Sequence, residues 1–189
     1  MFNELECSTF VDVLTDPRAP VALEEQTEKN ESIIQVGKYI EVVAEAVKQI
    51  RKTNRAIDTI MERLKEDNSD SAKELIKAGK ELKKKIKKVT GLFVSQSEKQ
   101  GITREKNAYR ALRSVMGSLY SSFDKPTESQ LKYLDQAKNE LDIALKKLNH
   151  LFETDVTEFK KSVAKANFDV FPVTEPLTSD WEKKEKQEK

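Results

Sequence analysis

The chain has 189 residues, 35% of them charged and 37% hydrophobic, which suits one domain. Five glycines and five prolines fit long amphipathic helices and exclude a β-sandwich or a doubly wound sheet. A formal net charge of +1 argues against wholesale binding of nucleic acid or acidic polymer, and a single cysteine, Cys7, excludes an intramolecular disulfide framework.

Met1 to Glu6 show no basic or apolar stretch of a signal peptide, and no apolar run approaches the ~20 residues that span a bilayer. Cys7 to Leu14 mix β-branched, aromatic and polar residues in partial alternation, which predicts a short strand. A lone strand lacks ladder partners, so residues 1–19 read as the last strand and turn of a preceding β domain. Asp16-Pro17-Arg18-Ala19-Pro20 closes it, and Pro20 suits the first turn of a helix.

Ile33, Val36, Ile40, Val43, Val47, Ile50, Asn54, Ile57, Met61 and Leu64 step by three and four without a break. That is the seam of a long helix packed lengthwise on others, with Asn54 as its register-setting polar member. The helix is predicted over about 20–67, weakly seamed at Gln26 and Lys29. Ser71 and Glu74 predict a capping box for a second helix, about 71–99. Its seam runs Ala72, Leu75, Gly79, Leu82, Ile86, Val89 and Phe93, and Gly79 admits a close neighbour. Outside lie Lys73, Lys77, Lys80, Lys83, Lys84, Lys85, Lys87 and Lys88, against Glu74 and Glu81. Such a face either stays solvated or meets an anionic membrane, acidic partner or phosphate backbone. The candidate anionic-partner residues are Lys73, Lys77, Lys80, Lys84, Lys87 and Lys88.

Gln100-Gly101 predicts a helix stop and Thr103 an N-cap for a third helix, about 104–123, lined by Ala108, Leu112, Val115, Leu119 and Phe123. Thr127 and Gln130 predict a capping box for a fourth, about 127–166, seamed by Leu131, Leu134, Leu141, Leu145, Leu148 and Phe152, with Lys138 intruding. Phe152 to Val156 is a second consecutive step of four, a stutter that locally unwinds the packing. Residues 168–189 read as an apolar stretch with Trp181 beyond it, then a charged end. The fold expected is all-α: an up-down-up-down bundle with long, antiparallel first and last helices, the middle two covering its far half, plus a strand-like N-terminal arm.

No catalytic pattern emerges. His150 is the only histidine and Cys7 the only cysteine, so a His/Cys zinc site of the usual kind cannot be assembled; no serine or cysteine triad is read around His150, and no Gly-rich phosphate loop is present. No catalytic, metal or cofactor-binding residue is assigned, and no cofactor is expected.

Val13-Leu14-Thr15-Asp16-Pro17-Arg18, Gln49-Ile50-Arg51, Tyr120 to Thr127 and Leu151 to Phe159 together resemble the C-terminal region of bacterial sortilin-like proteins. These are Asp-box (BNR-repeat) β-propeller proteins labelled glycosyl hydrolases. The resemblance implies a non-catalytic structural or interaction module at the end of a larger exported protein. Its partners would be the parent's propeller or β domain and, through apolar surface left bare, a second copy. No specific nucleic-acid partner and no transmembrane segment are expected. The rival function is anionic-surface or acidic-partner binding through the lysine face.

Overall fold

The computed structural model describes residues 7–12, 14, 16, 21–65, 67, 69–96 and 106–166. They form α1 (Leu23–Leu64), α2 (Asp70–Phe93), α3 (Ala108–Tyr120) and α4 (Glu128–Leu151). A π-helical turn, Phe152–Val156, then leads into α5 (Thr157–Lys165). The bundle is all-helical among the described residues, with long first and last rods.

The cross-contacts give each helix its direction. Along the second half of α1, Lys83 of α2 pairs with Asp58 at 2.5 Å, and Leu64 clusters with Ala72 and Leu75. These pairings make α2 antiparallel to α1. Along the first half, Lys29 donates to the Ser122 carbonyl just after α3, and Tyr109 at the start of α3 shares a groove with Val43 and Val47. So α3 is antiparallel to α1 as well. Gln130, opening α4, donates to the Ser118 carbonyl at 2.8 Å, and Lys85 of α2 pairs with Asp155 of the π turn. The α4–α5 rod therefore runs back past α3 and then α2.

The order is up, down, down, up, with α2 and α3 end to end and the outer rods parallel. The alternating order and the antiparallel outer helices predicted from the sequence are corrected on this point. Short connections reverse a chain, but residues 94–107 separate α2 from α3, long enough to carry the chain onward. The rod lengths agree: α1 spans about 63 Å, α2 and α3 about 36 and 20 Å, and α4 through α5 about 57 Å. The first half of α1 is covered by α3, so the middle two helices divide the length of α1 between them and do not both cover its far half.

Local chemistry fixes the ends. Ser69, not Ser71, caps α2, its hydroxyl accepting from the Ala72 N–H at 3.2 Å. The earlier serine wins because the helix starts at Asp70, placing Ser71 inside the first turn. Asn107 caps α3 by accepting from Arg110 N–H; Gln100, Gly101 and Thr103 lie outside the described residues. The Thr127–Gln130 capping box forms in both directions.

The main core runs along most of the bundle, from Val36 through Ile86, Phe93 and Leu112 to Leu148 and Phe159, and a smaller cluster of Leu64, Ala72 and Leu75 fills the end where α1 meets α2. At Gly79 α2 packs closely on α1 and α5: a β-carbon there would lie 2.8 Å from Met61 Sδ and 3.5 Å from Phe159. On α4 the buried stripe is Leu134, Ala137, Leu141, Ala144, Leu148 and Leu151. Lys138 lies beside the seam, bonded to Asp142 at 3.0 Å. Phe123, expected inside, lies three residues past α3 and is exposed, with Lys29 Nζ 5.4 Å from its ring centre. The described residues among 7–14 form no strand and are exposed, having no ladder partner; Val13, Thr15 and the segment 167–189 lie outside the described residues.

Candidate binding face

The strongest chemical feature is charge on the outside of α2. Its 24 residues carry eight lysines against Asp70, Glu74 and Glu81. The buried stripe of Ala72, Leu75, Gly79, Leu82, Ile86 and Phe93 takes one side of the helix. Helical periodicity then aims Lys73, Lys77, Lys80, Lys84, Lys87 and Lys88 away from it, and all six are exposed.

Two of the eight lysines grouped outside by the sequence belong instead to the helix seams. Lys83 leans onto α1 to meet Asp58, and Lys85 leans onto the π turn to meet Asp155. The hydrogen bond and charge of Asp155 raise the Lys85 ammonium above its usual pKa.

Within the outer face Lys73 pairs with Asp70 at 2.9 Å and Lys84 with Glu81 at 2.7 Å. Lys84 in turn holds the Glu81 carboxyl below the usual carboxylate range. Lys77, Lys80, Lys87 and Lys88 make no ion pair among the described residues. The six candidates span about 22 Å of helix, a stretched array of ammonium groups and not a focused pocket. Lys84, Lys85, Lys87 and Lys88 line a shallow depression together with Glu81 and with Lys106, ahead of α3.

A second basic group was missed from the sequence: Lys48, Arg51, Lys52 and Arg55 of α1, at i, i+3, i+4 and i+7. All four line a groove of ≈ 740 Å3 where α2 ends and α3 begins. The spacing is legible without a structure, though α2 carries the denser basic run.

Among the described residues no group of three or more His, Cys, Asp or Glu side chains is placed to hold a metal ion. Cys7 and His150 are both exposed. No described helix is long and apolar enough to cross a membrane. What the site can do chemically is attract and hold anions, by Coulomb attraction reinforced by charge-assisted hydrogen bonds.

No family model, curated protein or solved structure matches the chain. The likeness to sortilin-like proteins rests on the short motifs quoted above.

Proposed function

We propose that this chain is a non-catalytic helical interaction module that presents the outer face of α2 to a polyanionic partner. One observation carries the reading: Lys77, Lys80, Lys87 and Lys88 share one rigid, exposed face with no ion pair among the described residues. Mutual repulsion of like charges on a helix is destabilising, so an anionic counterpart gains affinity by relieving it.

Retention on immobilised heparin at rising salt tests this. Binding at low salt should weaken steeply with ionic strength. Reversing the four lysines to glutamate should lower affinity about tenfold or more, following the loss of phosphate- or sulfate-type contacts. Reversing Lys132, Lys146 and Lys147 on α4 provides the control for bulk charge and should have the smaller effect. No retention at low salt would sink the reading. Vesicles rich in phosphatidylglycerol, run in parallel, distinguish a membrane surface from a soluble polyanion.

A second reading is favoured by the arm. Phe10, Val11 and Leu14 are fully or largely exposed, apolar cost that a contacting domain would remove. It supports an accessory role beside an Asp-box β-propeller, as the resemblance implies. Mixing the chain with such a propeller domain should give a complex in sedimentation that Phe10→Asp with Leu14→Asp abolishes. Free components throughout would reject it.

A further inference from the structure

The groove at the α2–α3 joint is chemically polarised along its length. Its apolar part is lined by half-buried Ile40 and Val94 and exposed Ala44 and Tyr109, above Val43 and Val47 of the core. Its basic part follows along the same helix, at Lys48, Arg51, Lys52 and Arg55. Each part covers about 10 Å of α1. Lys48 already has an acidic neighbour, Glu45, at 3.3 Å. Arg51, Lys52 and Arg55 are exposed and make no ion pair among the described residues. Asp58, the next acid along this edge, is engaged by Lys83.

This layout discriminates between occupants. An amphipathic helix carries its apolar and charged groups side by side along its whole length, so it would lay charge over Ile40 to Val47. A single aliphatic chain ending in an anionic head places apolar matter at one end and charge at the other, as the groove does. Arg51 and Arg55, one turn apart, offer planar donor forks that match a carboxylate.

We propose that this groove binds a monomeric long-chain carboxylate, with the aliphatic chain over Ala44 between Val94 and Tyr109 and the head between Arg51 and Arg55. The site lies apart from the lysine face of α2 and stands or falls separately from the polyanion reading.

Titration of the full chain with sub-micellar dodecanoate, followed by methyl NMR of Val43, Val47 and Val94, tests the proposal. Saturable shifts confined to these methyls are expected. Affinity should climb about fourfold per added methylene from octanoate to dodecanoate, the increment for burying one CH2 group. Dodecyltrimethylammonium should fail to saturate the site. Ala44→Trp fills the groove from an exposed position and should abolish binding while the helical circular dichroism stays unchanged. Arg51→Glu with Arg55→Glu should weaken it about tenfold or more. Heparin retention of Ala44→Trp should stay at the wild-type level, separating the two sites. Absence of saturable binding, equal binding of the cationic amphiphile, or indifference to Ala44→Trp would each overturn the proposal. So would binding to acidic vesicles with none to monomeric dodecanoate.

Discussion

The helices α2 and α4 are both 24 residues long and bury six residues each. They do the same packing work with different outsides. The surface of α4 carries four lysines against four acids. It is laced by helical pairs: Lys132 with Glu128 at 2.6 Å and Lys138 with Asp142 at 3.0 Å. That is what keeping a bundle helix solvated requires. On α2, with Lys83 and Lys85 engaged across the seams, six lysines still face outward against three acids, which exceeds it. That outward-facing excess belongs to the surface and not to the packing, and it is the ground on which the polyanion proposal stands.

The largest expected stability effect tests whether the two interiors are equivalent. Phe93→Ala at the end of α2 removes a wholly buried ring and should cost about 3–5 kcal/mol in chemical denaturation. Leu141→Ala in α4 should cost about 2–5 kcal/mol. Similar losses would confirm that the helices differ only outside. Gly79→Leu comes next, because it drives a branched side chain into Met61 and Phe159; overpacking there should cost about 1–3 kcal/mol. A neutral result would show that the three rods meet less closely than the geometry describes.

The caps give a smaller contrast. Ser69→Ala and Thr127→Ala should each cost about 1 kcal/mol. The larger loss is expected at Thr127, where the box also engages the Thr127 N–H through Gln130. On α1, Asn54 Oδ1 is buried with no hydrogen-bond partner among the described residues. Asn54→Leu should therefore stabilise the chain by about 1 kcal/mol or more. A loss with a changed oligomeric state would restore the register-setting role.

The smallest effect concerns pH. Asp155 raises the Lys85 pKa, so the contribution of the pair is complete below the unfolded lysine value. It fades as pH rises through the folded one, above about 10.5. Glu81 is shifted the other way by Lys84. Its contribution is present above the unfolded carboxylate value, near pH 4, and fades as pH falls through the lower folded one. Lys85→Met should flatten the alkaline limb of a stability–pH curve and change the acid limb less, because Lys84 is the main cause of the Glu81 shift and Lys85 a smaller one. Identical alkaline limbs would show that the pair contributes nothing.

Much of this was legible in the chain because spacing is a local property. The three-four rhythm located four helical segments, Gly79 was read as a close approach, and the Thr127–Gln130 box is present as spelled. The stutter at Phe152 to Val156 falls on the π turn. Direction was not legible, since no local pattern tells whether a long connection turns back or continues. Nor was the stripe on α4, where small Ala137 and Ala144 take core positions that a search for large apolar residues gives to Leu131 and Leu145. The lysine face was found, but Lys83 and Lys85 could be assigned to partners only once Asp58 and Asp155 were in place beside them.

The π turn makes the last rod a spliced one. From Leu148 and Leu151 the buried positions skip to Val156 and Phe159, one residue later than an unbroken helix would place them, and Thr157 Oγ1 reaches back to the Phe152 carbonyl at 2.9 Å. Removing a single exposed residue here, Glu153, would bring Val156 and Phe159 into step with the preceding stripe. It would also draw the terminal turns about 1.5 Å along the axis. The chain is thus written with one letter more than its packing needs. A one-residue deletion, ruinous within almost any other helix, should be absorbed at this joint.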